Sequence, residues 1–150
     1  MKIRSNDALT QLTKVKEAIY SLLYVTQGSS PYSNYDSNIA YDENDSEERL
    51  LENEINKILE KLDYIHGDIK YLTSSIKDEG YLSKNTNGRY ELNGYEYTCG
   101  NGIEVLLYDE WSERFDWSIT RIEHDGNDYY AVGHSDICLD GVKARRRDIR

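Results

Sequence analysis

Histidine and cysteine are the residues of this chain that most readily bind metals or attack substrates. His124 is flanked by two acidic residues, His134 lies two positions before Asp136, and the cysteines are Cys99 and Cys138. A zinc site needs about three or four converging ligands, commonly paired through C-x-x-C or H-x-x-x-H spacing. Neither spacing occurs, so the sequence predicts no metal site and no cofactor.

A cysteine beside a histidine could also act as an activated nucleophile. That chemistry needs the two side chains in contact and a neighbouring group that orients the base. No pattern in the sequence brings Cys99 or Cys138 to His124, and no G-x-x-x-x-G-K-[ST] phosphate-binding loop is present. The sequence therefore predicts a protein that is not an enzyme, with no catalytic residues.

One basic cluster stands near the end of the chain: Arg145, Arg146 and Arg147, with Lys143 and Arg150 beside it. Basic side chains among aromatic residues can hold a single-stranded nucleic acid. The formal net charge of −10 argues against general affinity for a phosphate backbone. The acidity is also shared by both halves of the chain. Nucleic-acid contact through this basic tail therefore remains an alternative, and a protein partner is favoured.

Tyrosine is the most unusual feature of the composition, with 14 copies against one phenylalanine. Tyrosine combines apolar area with a hydroxyl group, and tyrosine, tryptophan and arginine are enriched at protein interfaces. Trp117 is expected in the core because Ile119 follows on the same strand face. The predicted partner-binding residues are Tyr90, Tyr95, Tyr97, Trp111, Tyr129, Arg145, Arg146 and Arg147.

The element that must organise these residues is a long helix from Asp45 to Ile76. Asp45 is a suitable N-cap, and negative charge follows it in the first turn. Apolar residues recur in alternating steps of four and three, a heptad pattern that requires a neighbouring helix. The predicted self-association seam is Leu51, Ile55, Ile58, Leu62, Ile65, Ile69, Leu72 and Ile76.

Residues 6–27 carry the same spacing and predict the helix that pairs with this seam, with Asn6 as its cap. The two helices would form an antiparallel hairpin. Because the second helix is longer, part of its seam would stay exposed, which predicts a homodimer through the helices. The loop over residues 28–44 contains Tyr32, Tyr35 and Tyr41 and is either a linker or a further contact surface.

From Gly80 onward the pattern changes to short strands separated by turns. Asn93-Gly94 between two alternating segments predicts a hairpin with a type I′ turn. Five or six short strands in this space suggest a small antiparallel β-meander or SH3-like barrel. The predicted fold is α+β, with a coiled-coil-like hairpin of long helices over residues 1–79 and a β domain with a basic tail over residues 80–150.

Cytoplasmic residence is the default expectation. No apolar run approaches the roughly 18 residues that a membrane-spanning helix needs. The first residues lack the apolar segment of a signal peptide. Two cysteines are too few for a disulfide framework, which fits a reducing compartment.

The C-terminal half contains a set of short motifs: Gly88-Arg89-Tyr90, Asn93-Gly94, Trp117, Arg121-Ile122-Glu123, Tyr130, Gly141 and Ala144-Arg145. In these motifs it resembles an uncharacterised small domain of phages and integrative elements of Gram-positive bacteria. The resemblance covers roughly residues 85–147. No activity is assigned to that family, so the resemblance implies a genomic setting and no site residue.

In that setting we expect a non-enzymatic accessory protein in the cytoplasm of a bacterial host. It would bind another protein and inhibit a host defence system, such as a CRISPR nuclease. Two alternatives remain: a nucleic-acid-binding regulator that uses the basic tail, and a binder of a small signalling nucleotide.

Overall fold

The computed structural model describes residues 2–27 and 38–149, and these residues form two compact units. The helical unit ends at Ser74 and the β unit begins at Ser75. The division falls five residues before the expected boundary at residues 79–80. The predicted α+β class, with helices first, is confirmed. Tyr32 and Tyr35 of the predicted loop lie outside the described residues.

The helical unit consists of α1 (Ser5–Gln27) and α2 (Ser46–Thr73). Asp45 caps α2 as predicted, because its side chain accepts a hydrogen bond from the Glu47 backbone N–H at 2.9 Å. Asn6 is not a cap, since α1 begins one residue earlier. The rings of Tyr20 and His66 lie 5.9 Å apart, and Lys16 and Lys70 line one small cavity, so the helices run antiparallel.

The contact face of this hairpin keeps one half of the predicted seam and replaces the other half with residues one position later. Ile55, Leu62 and Ile69 face α1 as part of the core, together with Leu59, whereas Ile58 is exposed. The other exposed members of the predicted seam on α2 are Leu51, Ile65 and Leu72. Both members of pairs such as 58 and 59 are apolar, so the apolar stripe is wider than one partner helix covers. Periodicity alone does not choose between them.

The helix also ends earlier than predicted, and Ile76 belongs to a strand. Ser74 caps the end of α2 with extended backbone angles, and its N–H bonds to the Tyr71 carbonyl. Ile76 therefore cannot be part of a helical self-association seam. Ile76 fits both the helical repeat of α2 and the alternating pattern of the strand that follows. Pairing with a distant strand decides that it belongs to the strand.

The β unit has eight strands within the part of the chain that the structure describes. They are β1 (Ile76–Tyr81), β2 (Ser83–Lys84), β3 (Tyr90–Leu92), β4 (Tyr95–Glu96), β5 (Gly102–Asp109), β6 (Arg114–His124), β7 (Tyr129–Ala131) and β8 (Lys143–Arg147). One sheet has the order β1-β8-β5-β6-β7, and the other has the order β2-β3-β4. All pairs are antiparallel, as predicted.

The predicted Asn93-Gly94 turn joins β3 to β4. Asn93 has φ of 50° and Gly94 has φ of 82°, as a type I′ turn requires. Residues 77–80 form most of β1, and residues 137–139 are not a strand. Leu139 is nevertheless fully buried.

The core of the β unit lies on one face of the five-stranded sheet. Alternate residues of β5 (Ile103 and Val105) and Ile122 of β6 point into it, with Ala144 from β8. We call the opposite side of this sheet the outer face. No helix in the described residues is both long enough and apolar enough to cross a membrane.

Candidate protein-binding surface

A buried carboxylate holds the centre of the outer face. Glu104 of β5 is only 1% exposed, and its neighbour across the strand pair is Arg145. Its two carboxylate oxygens accept hydrogen bonds from the guanidinium groups of Arg145 and Arg147. A buried charge needs this kind of pairing, because an uncompensated one is strongly destabilising.

The same network positions an aromatic ring. The Arg145 guanidinium lies over the Trp117 ring, 4.1 Å from its centroid. Cation–π contacts of this kind favour arginine over lysine, because the planar group stacks on the ring. Trp117 is therefore held in place by an arginine that is itself held by Glu104.

The third arginine lies on the other face of β8. Arg146 pairs with Asp78 of β1, with Nε 3.0 Å from the carboxylate. Its guanidinium also lies 3.6 Å from the centroid of Tyr95. Tyr95 in turn makes an edge contact with Tyr97.

The description of Arg145, Arg146 and Arg147 as a basic tail is therefore wrong. All three belong to a strand between β1 and β5, and each is paired with a carboxylate of the same unit. The sequence suggested a solvated charge run because the acidic partners are distant along the chain. Arg147, 13% exposed at its side chain, has little surface to offer a partner.

Two of the predicted contact tyrosines lie in the core. Tyr90 and Tyr97 are almost completely buried, so their rings cannot contact a partner. Burial, together with the carboxylate of Asp128, raises the pKa of the Tyr90 phenol to about 12. Tyr129 packs against this core and accepts a hydrogen bond from Arg89 Nε at 3.3 Å. Partly buried Tyr95 and Tyr129 thus serve packing first.

Aromatic and aliphatic side chains, exposed or half-buried, cover the outer face along the β5–β6 pair. Tyr108 lies opposite Phe115, and their rings make an edge contact with centroids 5.3 Å apart. Leu106 lies opposite Trp117 in the next row. We define the aromatic face as Tyr81, Leu106, Tyr108, Phe115, Trp117 and Ile119.

Trp117 and Ile119 share a strand face as predicted, but it is the outer face and not the core. Ile119 is exposed, and Trp117 is half-buried beneath Arg145. Sequence alternation correctly places two residues on one side of a strand. It does not say which side faces the core when both sides carry apolar residues.

Trp111 projects from the turn between β5 and β6 and is 95% exposed. Asp109 shapes this turn: its carboxylate accepts hydrogen bonds from the Trp111 N–H at 3.0 Å and from the Ser112 hydroxyl at 2.8 Å. These bonds lower the pKa of the Asp109 carboxyl. Trp111 thus extends the aromatic face beyond the end of the sheet, and its role as a contact residue stays a prediction.

A cavity of about 510 Å³ opens beside the aromatic face. Tyr81, Leu106, Tyr108 and Phe115 form one part of its wall, and Val142 is in the other. Lys143 also lines it, with its ammonium group 2.9 Å from Glu79. That pairing raises the pKa of Lys143. The apolar lining suits bulky side chains of a protein partner, and the volume is also within the range of small-molecule pockets.

Sequence reasoning missed Tyr81, Tyr108 and Phe115 as surface residues. Strict alternation along Gly102–Asp109 would have placed Glu104, Leu106 and Tyr108 on one side. This was a usable signal: Glu104, the one charged residue of that row, marks the side away from the apolar core, although arginines from a distant segment bury it.

The histidines and cysteines do not form a reactive group together. Cys99 and Cys138 are exposed and free, and the described residues contain no cluster of three or more His, Cys, Asp or Glu that could hold a metal ion. His134 Nε2 lies 2.9 Å from the Ser118 hydroxyl, a contact that the sequence did not suggest. A serine–histidine contact alone is not a catalytic triad, which needs a buried acid and an oxyanion hole.

Residues 80–146 match the family model described as a domain of unknown function (DUF5348). The match covers most of the β unit, including the aromatic face and all but the last residue of β8. It agrees with the predicted presence of an uncharacterised small domain in the C-terminal half. No curated protein and no solved structure gives a significant match to the chain.

Proposed function

We propose that this protein is non-enzymatic and acts by binding another protein through the aromatic face of its β unit. The observation that carries the proposal is the row of exposed rings along β5 and β6, with Phe115 63% exposed beside exposed Tyr108. Contiguous exposed apolar patches on soluble proteins commonly mark interaction sites. The aromatic composition is that of residues that carry most binding energy at interfaces.

The aromatic face is also held in shape before any partner arrives. Arg145 fixes the Trp117 ring from one side, and buried Glu104 fixes Arg145. The neighbouring Tyr108 and Phe115 rings support one another. A surface that is ordered in advance loses less conformational entropy on binding.

An ion pair borders the aromatic face on its own side of β6: Arg121 pairs with Glu123 at 2.9 Å. Such an exposed pair adds little attraction for a highly charged ligand. The surface therefore fits a protein segment with one or two bulky apolar side chains, one of which would enter the cavity beside Tyr81.

We base the proposed cellular target on the resemblance of the C-terminal half to a domain of phages and integrative elements. In that setting we propose that the protein works in the host cytoplasm and that the partner is a component of a host defence system, such as a CRISPR nuclease. Binding of nucleic acid receives less support, since Arg145, Arg146 and Arg147 already pair with acidic side chains. A signalling nucleotide would find one cation in the cavity wall, Lys143, which pairs with Glu79.

The test combines a functional assay with a matched surface variant. Expression of the wild-type chain should restore plaque formation by a phage that the host's CRISPR system targets. The double variant Tyr108→Ser/Phe115→Ser should lose this effect. The control, Tyr24→Ser, removes a comparably exposed ring from α1 and should keep it.

The partner found by cross-linking should then be purified and titrated by calorimetry. We expect the double variant to bind at least about a hundredfold more weakly than wild type, since two central aromatic residues each contribute about 2 kcal/mol or more. Equal affinity of the double variant and wild type would overturn the assignment of the surface. If the double variant instead loses affinity for nucleic acid in a gel shift and keeps its affinity for the protein partner, the nucleic-acid-binding regulator is favoured.

A further inference from the structure

We infer that the helical unit binds a second copy of itself, with α2 packed antiparallel against α2 of the second copy about a two-fold axis at Ile65. This inference is independent of the aromatic face. It concerns the apolar row that the hairpin leaves exposed after its own core has formed.

The exposed row on α2 repeats every seven residues. Its two middle members, Ile58 and Ile65, are 55% and 46% exposed. Leu51 and Leu72 continue the row at either end and are also exposed. Heptad spacing keeps a row on one side of a helix, which is the pattern that a partner helix recognises.

The exposed residues of both helices lie on the same side of the hairpin. On α1, Leu22 precedes buried Leu23; on α2, Ile58 and Ile65 precede buried Leu59 and His66. Each step back along a right-handed helix turns the side chain by about 100°. In two antiparallel helices that face one another, this turn brings both rows to the same side.

The charges at the border of the row point to a second copy as the occupant. Glu54, Lys61 and Asp68 follow its solvent edge at heptad spacing, with signs that alternate. The matching edge of α1 carries Gln11 and Ala18 and no charge. The charge pattern of α2 therefore finds its complement on another α2, and a two-fold pair forms each contact twice.

The register follows from the same charges. With the axis midway along the row, Lys61 meets Lys61 of the second copy. With the axis at Ile65, Lys61 meets Asp68 of the second copy; with the axis at Ile58, it meets Glu54. Opposite charges favour the two latter registers.

The first helix selects between these two registers. The Tyr20–His66 contact places Val15 and Leu22 of α1 alongside the Ile65 end of α2. An axis at Ile65 therefore buries the rows of both helices in one four-helix interface, whereas an axis at Ile58 leaves much of the α1 row outside it. The assembly is an antiparallel four-helix bundle.

The first test is the mass of the full chain in solution. Light scattering at tens of micromolar should give twice the chain mass of 17.5 kDa, about 35 kDa. Ile65→Asp puts a carboxylate in the middle of the four-helix interface and should give a mass of 17.5 kDa. A control on the far side of α2, Asn56→Asp, should remain dimeric. A monomeric wild type, or a dimeric Ile65→Asp variant, overturns the inference.

Charge reversal tests the register without removing apolar surface. Lys61→Asp and Asp68→Lys each bring like charges together twice and should weaken the dimer by about tenfold. The double variant restores opposite charges and should recover wild-type association. Circular dichroism confirms that each variant keeps its helices. Failure of the double variant to recover association rules out the Ile65 register.

A cysteine placed at the two-fold axis tests the register of the two α2 helices independently. In a chain carrying Cys99→Ser and Cys138→Ser, Ile65→Cys should cross-link to itself on mild oxidation, because the two sulfurs meet at the axis. Ile58→Cys should not cross-link, since Ile58 would lie opposite Leu72 of the second copy. The reverse result places the axis at Ile58 and overturns the proposed register.

Discussion

Glu104 shows how a single side chain can organise a surface. It is charged, yet it is one of the most buried residues of the β unit, and it holds both Arg145 and Arg147. Since Arg145 in turn covers Trp117, the order of the aromatic face depends on a carboxylate that a partner never touches.

Removing that carboxylate should therefore have a large effect on stability. We expect Glu104→Ala to lower the free energy of unfolding of the β unit by about 3–5 kcal/mol, because two arginines would keep their charges without it. Urea denaturation followed by tryptophan fluorescence measures the change. Glu123→Ala breaks an exposed pair with Arg121 and should cost less than about 1 kcal/mol. Similar losses in the two variants would contradict the role assigned to Glu104.

Glu96 should make the β unit sensitive to acid. The Arg89 guanidinium donates a hydrogen bond to it, Asn85 donates another, and both lower the pKa of its carboxyl from 4.5. A lowered pKa in the folded state means that the stabilisation is complete above pH 4.5 and is lost as the pH falls through the lowered value.

Glu96→Gln should accordingly flatten the acid limb of the stability profile below pH 4.5, while lowering stability at neutral pH. Thermal melts between pH 2.5 and pH 7 would measure both effects. Glu60→Gln, at an exposed position of α2, serves as the control. A variant with the full acid dependence of the wild type would show that this carboxyl does not carry it.

Among the elements, the β3–β4 hairpin and the start of α2 were the best predicted from local sequence. Asn93-Gly94 forms a turn whose backbone angles few other residues tolerate, and Asp45 caps α2 through its own side chain. Both signals are local, because the residues that make the contact are neighbours in the chain.

Glycine substitutions should change the free energy of unfolding in opposite directions in these two elements. Gly94→Ala forces a side chain into a φ of 82° and should lower the free energy of unfolding by about 1–2 kcal/mol. Gly67→Ala, in α2 with no atom within 4 Å of the added carbon, should raise it by about 1 kcal/mol. Chemical denaturation monitored by circular dichroism gives both values. Changes of the same sign would contradict the assigned backbone conformations.

At the scale of the whole molecule, the chain combines two units with separate cores and separate exposed surfaces. The helical unit presents an aliphatic row, and the β unit presents aromatic rings. If the helical unit binds a second copy of the chain and the β unit binds a partner, the assembled protein would be bivalent. Each site would then strengthen the other through effective concentration.

Self-association predicts that the stability of the helical unit depends on protein concentration. Between 2 and 200 micromolar, the melting temperature of the helical signal should rise by several degrees, because mass action favours the folded dimer. The near-ultraviolet signal of Trp117 reports the β unit and should melt at a constant temperature. A helical transition that does not move with concentration would contradict self-association in the folded state.

The sequence by itself determined the order of elements, the antiparallel strands, the cap of α2 and the turn at Gly94. These features depend on hydrogen bonds and backbone angles within a few residues. It also placed Trp117 and Ile119 on one strand face. The choice of Trp111 as a contact residue stays a prediction.

Only the tertiary structure decided which apolar stripe of each element faces inward and what neutralises the arginines. Ile58 and Leu59 are both apolar, and so are Trp117 and Ile122. Which residue of each pair is buried depends on where another element packs. The pairing of Glu104 with Arg145 and Arg147 joins residues about forty positions apart. Local sequence cannot encode such a contact, because burial and charge compensation are properties of the packed chain.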